Sequence, residues 1–250
     1  MQPNDIKEMI SRFRDKEPDE ILCHFLSVYA DHSAKGKDRI ALASSLGAED
    51  QVLTHMVLSI RPDARVFILD TGRFHEKTYE LINATRKHYG INFEMVFPER
   101  ADVEELERVY GPNDIYESAD KRKHCCHIRK VKPLMKVLST LDVWITGLRR
   151  DQAVTRKKIN NVEWDELNRL VKLNPLADWD EDQVWQYIRK HSIPYNPLHD
   201  MGYRSIGCAP CTRPVKQGED IRAGRWWWET PGQKECGLHI NDHIISTGTP

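Results

Sequence analysis

Arg39-Ile-Ala-Leu-Ala-Ser-Ser-Leu-Gly-Ala-Glu-Asp50 decides the fold. Residues 39–45 read as a buried strand, Leu46-Gly47-Ala48 as a turn, and Glu49–Ile60 as a helix with Val52, Leu53, Met56, Val57 and Ile60 at helical spacing. Glu49 and Asp50 fall in that helix's first turn, where the helix dipole favours acids. Working outward, the alternation repeats. Ala64–Leu69 is a second strand ending at Asp70-Thr71-Gly72, and Phe74–Tyr89 a helix stopped by Gly90. Asn92–Phe97 is a third strand closed by Pro98, and Ala101–Tyr110 a short charged helix. Cys125–Leu138 reads as helical with Pro133 inside the pattern, Asp142–Thr146 as a fourth strand and Arg169–Leu173 as a fifth. Asp180–His191 is a helix with Val184, Trp185 and Ile188 inward, and Ile21–Tyr29 is an apolar helical stretch with Cys23 in the core. Strands alternating with helices predict an α/β fold, a mostly parallel sheet with helices on both faces. Ligands of such sheets bind at the carboxyl ends of the strands. Three polar turns lie there: Ser44–Asp50, Asp70–Arg73 and Thr146–Gln152. From Pro194 onward Pro, Gly, Cys, Arg and Trp dominate, which predicts a loop-rich C-terminal segment held by something other than a core.

The 250 residues carry 37 basic and 38 acidic side chains, a net charge of −1. That length can bury a proper core. A charge near zero argues against a general binder of nucleic acid, so an anionic substrate would need local basic clusters. No apolar run approaches the roughly 18 residues of a membrane span. Met1–Asp15 is polar and mixed in charge, unlike a secretory signal. A reducing cytoplasm is therefore expected, where clustered cysteines bind metal or do redox chemistry more often than they form disulfides.

Six cysteines are present, and four fall into two tight groups, Cys125-Cys126 and Cys208-Ala-Pro-Cys211. Neighbouring helical residues point about 100° apart, so a vicinal pair can reach one compact object. Cys-x-x-Cys alone is common in zinc sites, but its combination with Cys-Cys points to an iron–sulfur cluster. Residues 121–132 hold Lys121, Arg122, Lys123, Arg129, Lys130 and Lys132 with no acid, cations that would stabilise an anionic four-thiolate cluster. Lys130 follows Cys126 by four positions, the spacing that shares a helical face.

Ser44–Asp50 presents two hydroxyls and turn amides before a helix N-terminus, which suits a phosphate, although it is neither a Walker A loop nor a dinucleotide fingerprint. An ordinary strand–helix turn is the alternative. Arg222 and Arg225 stand beside Trp226-Trp227-Trp228, and Arg149, Arg150 and Arg156 follow a strand; arginine forks match tetrahedral oxyanions. The tryptophans could close a lid over such a site. Cys236 stands apart between Lys234 and His239, fourteen residues from the C-terminus. It reads either as a nucleophile of lowered pKa or as an incidental surface thiol.

Eight blocks together resemble the iron–sulfur-containing adenylyl-sulfate (APS) reductases of the sulfonucleotide reductase family. They are Ser44–Asp50, Leu69–Gly72, Cys125–Lys130, Trp144–Gln152, Asn174–Trp179, Ser205–Thr212, Arg222–Trp226 and Glu235–His239. The resemblance implies a fold of the adenine-nucleotide α-hydrolase (PP-loop) type. Residues 1–200 would form the nucleotide-binding part, and residues 201–250 a cluster-binding, catalytic tail of the same domain. It implies a [4Fe-4S] cluster on Cys125, Cys126, Cys208 and Cys211. Cys236 would attack APS, and thioredoxin would reduce the resulting S-sulfocysteine. Lys130, Arg222, Arg225 and His239 would hold sulfate and α-phosphate oxygens. Ser44 and Gly47 would contact the phosphate side, with Asp70, Gly72, Gly147 and Arg156 completing the substrate set. The family often has an additional serine and a glycine where this loop has Ser45-Leu46-Gly47, so one hydroxyl contact is missing. PAPS, the 3′-phosphorylated nucleotide, is the alternative substrate. Dimers or tetramers are implied. The competing readings are a zinc-binding, ATP pyrophosphatase-like RNA-modifying enzyme and a non-catalytic nucleotide-binding module.

Overall fold

A computed structural model describes residues 3–29, 38–153 and 156–230. Six strands form one sheet: β1 (Ile40–Ser44), β2 (Val66–Leu69), β3 (Glu94–Val96), β4 (Val143–Ile145), β5 (Val162–Asp165) and β6 (Leu170–Leu173). Their order is β3-β2-β1-β4-β6-β5, with every pairing parallel except the antiparallel hairpin of β5 with β6. The register is set by alternation, because successive side chains point to opposite faces. Ile40 and Leu42 of β1, Val66 and Ile68 of β2, Val143 and Ile145 of β4, and Val171 and Leu173 of β6 all enter one buried cluster. The residues between them, Ala41, Phe67, Trp144 and Leu170, enter another on the opposite face.

Helices cover both faces. The first receives α2 (Pro18–Tyr29), α3 (Ala48–Ile60), α4 (Glu76–Tyr89) and α8 (Glu181–His191) through Phe25, Val52, Leu81 and Val184, and Phe13 ends α1 (Pro3–Phe13) in the same cluster. The second is covered by α7 (Lys132–Leu138) through Leu134, Val137 and Leu138. Beyond it stand α5 (Arg100–Tyr110) and α6 (Ala119–Cys126). From β1 the chain steps outward through β2 and β3, whereas β4 lies on the other side of β1. A doubly wound sheet opens its crevice where the winding reverses, here above the carboxyl ends of β1 and β4.

Three features differ from the sequence reading. The helix expected over 125–138 is two helices, α6 and α7, joined by a wider π-helical turn at His127–Val131. Pro133 has no amide donor for the preceding turn, and the re-registered turn lies just ahead of it. Strand β5 is additional. Cys23 is exposed and is not a core residue; in α2 the inward positions go to Ile21, Leu22, Phe25 and Leu26. The segment after Pro194 is loop-rich as expected. It is tied by backbone bonds from Ala209 N to Arg73 O (2.8 Å), from Val215 N to Gly202 O (2.9 Å) and from Trp226 N to Cys211 O (3.1 Å).

Candidate active site

Ser44 ends β1, and the chain turns at Leu46, whose φ of 65° is a left-handed conformation unusual for leucine. The turn is held by Asp50, in the first turn of α3. Its Oδ2 accepts from the Ser45 amide (2.7 Å) and from Ser45 Oγ (2.5 Å). Ser44 Oγ accepts from Leu46 N at 3.2 Å. Burial pushes the Asp50 carboxyl up to about 6, against the pull of these hydrogen bonds. Gly147, beyond β4, lies directly against this carboxylate: a Cβ there would overlap Asp50 and stand 3.1 Å from Glu49 Cβ. Glycine lets the two turns at the crevice meet.

Above them is a cavity of about 240 Å³. Ser44, Gly47, Gly147, Lys130, Arg156, Arg222 and Arg225 all line it. Trp144, Leu69 and Phe74 supply apolar wall. Arg149 also lines the cavity but is engaged, with Nε on Glu49 Oε1 at 3.0 Å and Nη1 on the Trp179 carbonyl at 3.2 Å. Arg150 turns away to Asp178 and to the Ile159 carbonyl. Arg225 lies 4.6 Å over the Trp226 ring with Nη1 on the Ile206 carbonyl at 3.2 Å. Gly207 makes room for it, since a Cβ there would sit 2.7 Å from Arg225 Nη2.

Asp70 and Gly72 do not line this cavity; they build its neighbour's edge. Asp70 Oδ1 accepts from Gly72 N (2.8 Å) and from Tyr79 OH (3.1 Å), and Gly72 takes a φ of 70°. The turn thereby aims Thr71 at Cys208, with Oγ1 and Sγ 3.2 Å apart.

Cys125, Cys126, Cys208 and Cys211 line a second, smaller cavity of about 20 Å³. All four are free of disulfides. Lys130 lines both cavities, so one basic side chain borders the crevice and the thiols alike. Leu106, Ile115 and the buried Trp226 pack around the cysteines. Burial pushes the Cys125 thiol up, against the pull of Arg129 and Arg73, and burial with neighbouring Cys208 pushes Cys211 up to about 12. Arg225 and Lys130 pull Cys211 the other way. Among the described residues no group of three or more His, Cys, Asp or Glu side chains is arranged to hold a single metal ion. The four thiols share their pocket with Arg73, Arg122, Arg129 and Lys130, a donor set and charge that an iron–sulfur cluster, whose thiolates carry net negative charge, would match.

Apart from Asp70 and Gly72, the described candidate residues thus line two adjoining cavities. Cys236 and His239 lie outside the described residues. Sequence reasoning missed Arg73 and Thr71 as neighbours of the thiols, and the Glu49–Arg149 pair; each forms between distant segments and leaves no local signal. Of the tryptophan run, Trp226 and Trp228 pack in one cluster with Cys125, Cys208 and Cys211, and Trp226 also lines the larger cavity.

Residues 39–214 match the family profile described as "Phosphoadenosine phosphosulfate reductase domain". The adenosine 5′-phosphosulfate reductase of Allochromatium vinosum is 51% identical over 202 residues, covering 81% of this chain and 79% of its own. That of Burkholderia cepacia is 49% identical over 203 residues, 81% of each chain. Among solved structures, the phosphoadenylyl-sulfate (PAPS) reductase of Candida auris in its phosphate complex superposes with a TM-score of 0.69 at 24% identity, covering 84% of this chain and 96% of that one. The Candida glabrata FMN adenylyltransferase complexed with FAD and pyrophosphate gives 0.54 at 13% identity, covering 97% and 82%. Both structural likenesses concern the fold, and they agree with the parallel sheet and its crevice.

Proposed function

The chain belongs to the phosphoadenosine phosphosulfate reductase domain family, and we propose that it reduces adenosine 5′-phosphosulfate to sulfite and AMP. The observation that carries this reading is the shared wall: Lys130 lines both a nucleotide-sized crevice and a four-thiol pocket. Identity of about half to named APS reductases over four-fifths of the chain supports the substrate.

In this reading the base lies against the apolar wall of the crevice, and the Ser44–Gly47 turn with Gly147 takes the phosphate side. Lys130, Arg222, Arg225 and His239 hold sulfate oxygens, with Arg156 in support. Asp70 and Gly72 hold the turn that carries Thr71. The Cys236 thiolate attacks the sulfur of APS; the sulfur–oxygen bond breaks and AMP leaves, its new negative charge met by the same cations. Cys236 then carries SO₃ as an S-sulfocysteine. A thiolate of reduced thioredoxin attacks Cys236 Sγ, sulfite departs, and the second thioredoxin thiol resolves the mixed disulfide. Two electrons pass from the dithiol to the sulfur, so atoms and charge balance without a nicotinamide or flavin.

Cys125, Cys126, Cys208 and Cys211 would hold a [4Fe-4S] cluster, which supplies a fixed charge beside Lys130. Residues 1–200 form the nucleotide part and 201–250 the cluster-binding and catalytic part of one unit. No helix among the described residues is long and apolar enough to cross a membrane. The need for reduced thioredoxin suits a cytoplasmic location. Similarity to reductases along most of the chain weighs against the RNA-modifying and non-catalytic readings.

The test is a pair of variants prepared anaerobically. Cys236→Ser should abolish sulfite release and keep iron, acid-labile sulfide and visible absorbance. Cys125→Ser should lose all three. Loss of colour in Cys236→Ser, or turnover surviving it, would overturn the assignment of nucleophile and ligands.

A further inference from the structure

The arginines that line the crevice are not held alike. Arg149 is buried, with Nε on Glu49 Oε1 at 3.0 Å and Nη1 on the Trp179 carbonyl at 3.2 Å. Arg225 lies 4.6 Å over the Trp226 ring, with Nη1 on the Ile206 carbonyl at 3.2 Å. Arg204 is different. It lines the crevice with a side chain 43% exposed, so it stands where the crevice opens to solvent. Its polar partner among the described residues is Glu181, in the first turn of α8, through Nη2 and Oε2. Glu181 lines the crevice too and is itself 30% exposed. An ion pair this open to water is weak, because solvent screens the attraction and two long side chains give up freedom to hold it. A phosphate that reaches the mouth can therefore take the fork from Glu181, since a guanidinium matches phosphate oxygens two at a time.

Arg204 begins a segment that runs along the wall. Ser205, Ile206 and Gly207 line the crevice after it, and Cys208 follows in the thiol pocket. Arg225 Nη1 reaches the Ser205 hydroxyl at 3.4 Å as well as the Ile206 carbonyl, and Ala209 N donates to Arg73 O at 2.8 Å. Ahead of Arg204, Tyr203 N donates to Leu198 O at 3.0 Å. The backbone is thus fixed on both sides of Arg204 without help from Glu181. From Arg204 to Gly207, which lies against Arg225, the chain spans at most about 10 Å. The crevice therefore offers two cationic points to one ligand, Arg225 with Lys130 on the side of the thiols and Arg204 at the mouth. APS carries its anionic groups on the 5′ carbon of the ribose alone, whereas PAPS carries a second set on the 3′ carbon. We infer that Arg204 receives a ribose 3′-phosphate, so that the crevice accepts 3′-phosphorylated adenine nucleotides, PAPS among them, as well as APS. Glu181 holds the guanidinium when that phosphate is absent. This rests on the crevice being the nucleotide site, with the sulfate at the Lys130 and Arg225 end.

The experiment titrates the anaerobically prepared full-length protein with AMP and with adenosine 3′,5′-bisphosphate, in the parent, Arg204→Ala, Arg204→Lys and Glu181→Gln. The quantity read is the affinity for the bisphosphate relative to that for AMP, which cancels a general disturbance of the crevice. The parent should bind the bisphosphate at least as tightly as AMP. Arg204→Ala should lower the ratio at least tenfold, and Arg204→Lys should recover part of that loss, because it keeps the charge without the fork. Glu181→Gln should raise the ratio at least threefold by releasing the guanidinium. In turnover, Arg204→Ala should lose at least tenfold in kcat/KM on PAPS relative to APS. A ratio unchanged in Arg204→Ala overturns the inference. So does a parallel loss of affinity for both nucleotides, which makes the pair structural, and so does a ratio that Glu181→Gln fails to raise. A parent that binds AMP and rejects the bisphosphate overturns it as well. A parent that binds neither overturns the nucleotide reading of the crevice, and the inference falls with it.

Discussion

Asp50 sits inside the β1–α3 turn with its carboxyl pushed up to about 6 from 3.8 by burial. A raised carboxyl pKa means that the folded protein holds this proton more tightly than the unfolded chain does. Ionisation therefore opposes folding, by nothing below the unfolded pKa and by a penalty that grows until the pH passes about 6. The full penalty is on the order of 3 kcal/mol, from about two pKa units. Asp50→Asn should accordingly gain melting temperature relative to the parent as the pH rises from 5 to 8. A difference that stays flat across that range would show that Asp50 does not titrate there. The thiols, Lys130 and Arg225 were legible because their chemistry is written in short local blocks. The partners that decide their environment were not. Glu49 meets Arg149 across 100 positions and Thr71 meets Cys208 across 137, and nothing in the intervening residues marks either meeting.

Helix α8 shows an element whose signal was complete. Asp180 accepts from Gln183 N at 2.8 Å while Gln183 Oε1 accepts from Asp180 N at 2.8 Å, a capping box ahead of inward Val184 and Ile188. Asp180→Ala should cost about 1 kcal/mol in chemical denaturation. Because Val184 and Trp185 line the crevice, AMP affinity reports whether the helix start has moved. No loss of stability would mean that the cap is redundant with packing. Strand β5 was the opposite case. Val162-Glu-Trp-Asp165 alternates over only four residues, too short for a periodic pattern to stand out, and it exists as a strand because β6 offers it an edge. The division of α6 from α7 was half legible: Pro133 was visible in the sequence, but whether a proline breaks or merely re-registers a helix depends on what packs against it.

At the scale of the whole molecule, alternation of strands and helices was enough to forecast a parallel sheet with helices on both faces. Strand order was not forecast, because it depends on which crossovers bury the most apolar surface. The order matters, since the reversal at β1 puts the Ser44–Asp50 and Thr146–Gln152 turns side by side and opens the crevice between them. The loop-rich segment after Pro194 then folds across the end of the sheet and brings Cys208 and Cys211 to Cys125 and Cys126. The account depends on a separation of roles, with four sulfurs given to an inorganic anchor and Cys236 left to carry the sulfonate. The most direct measurement is peptide mass spectrometry of the anaerobically prepared protein after brief incubation with APS in the absence of thioredoxin. One SO₃ on the peptide containing Cys236, released by reduced thioredoxin, is the expected result. An adduct on Cys125, Cys126, Cys208 or Cys211, or no adduct while sulfite is still formed, would contradict it.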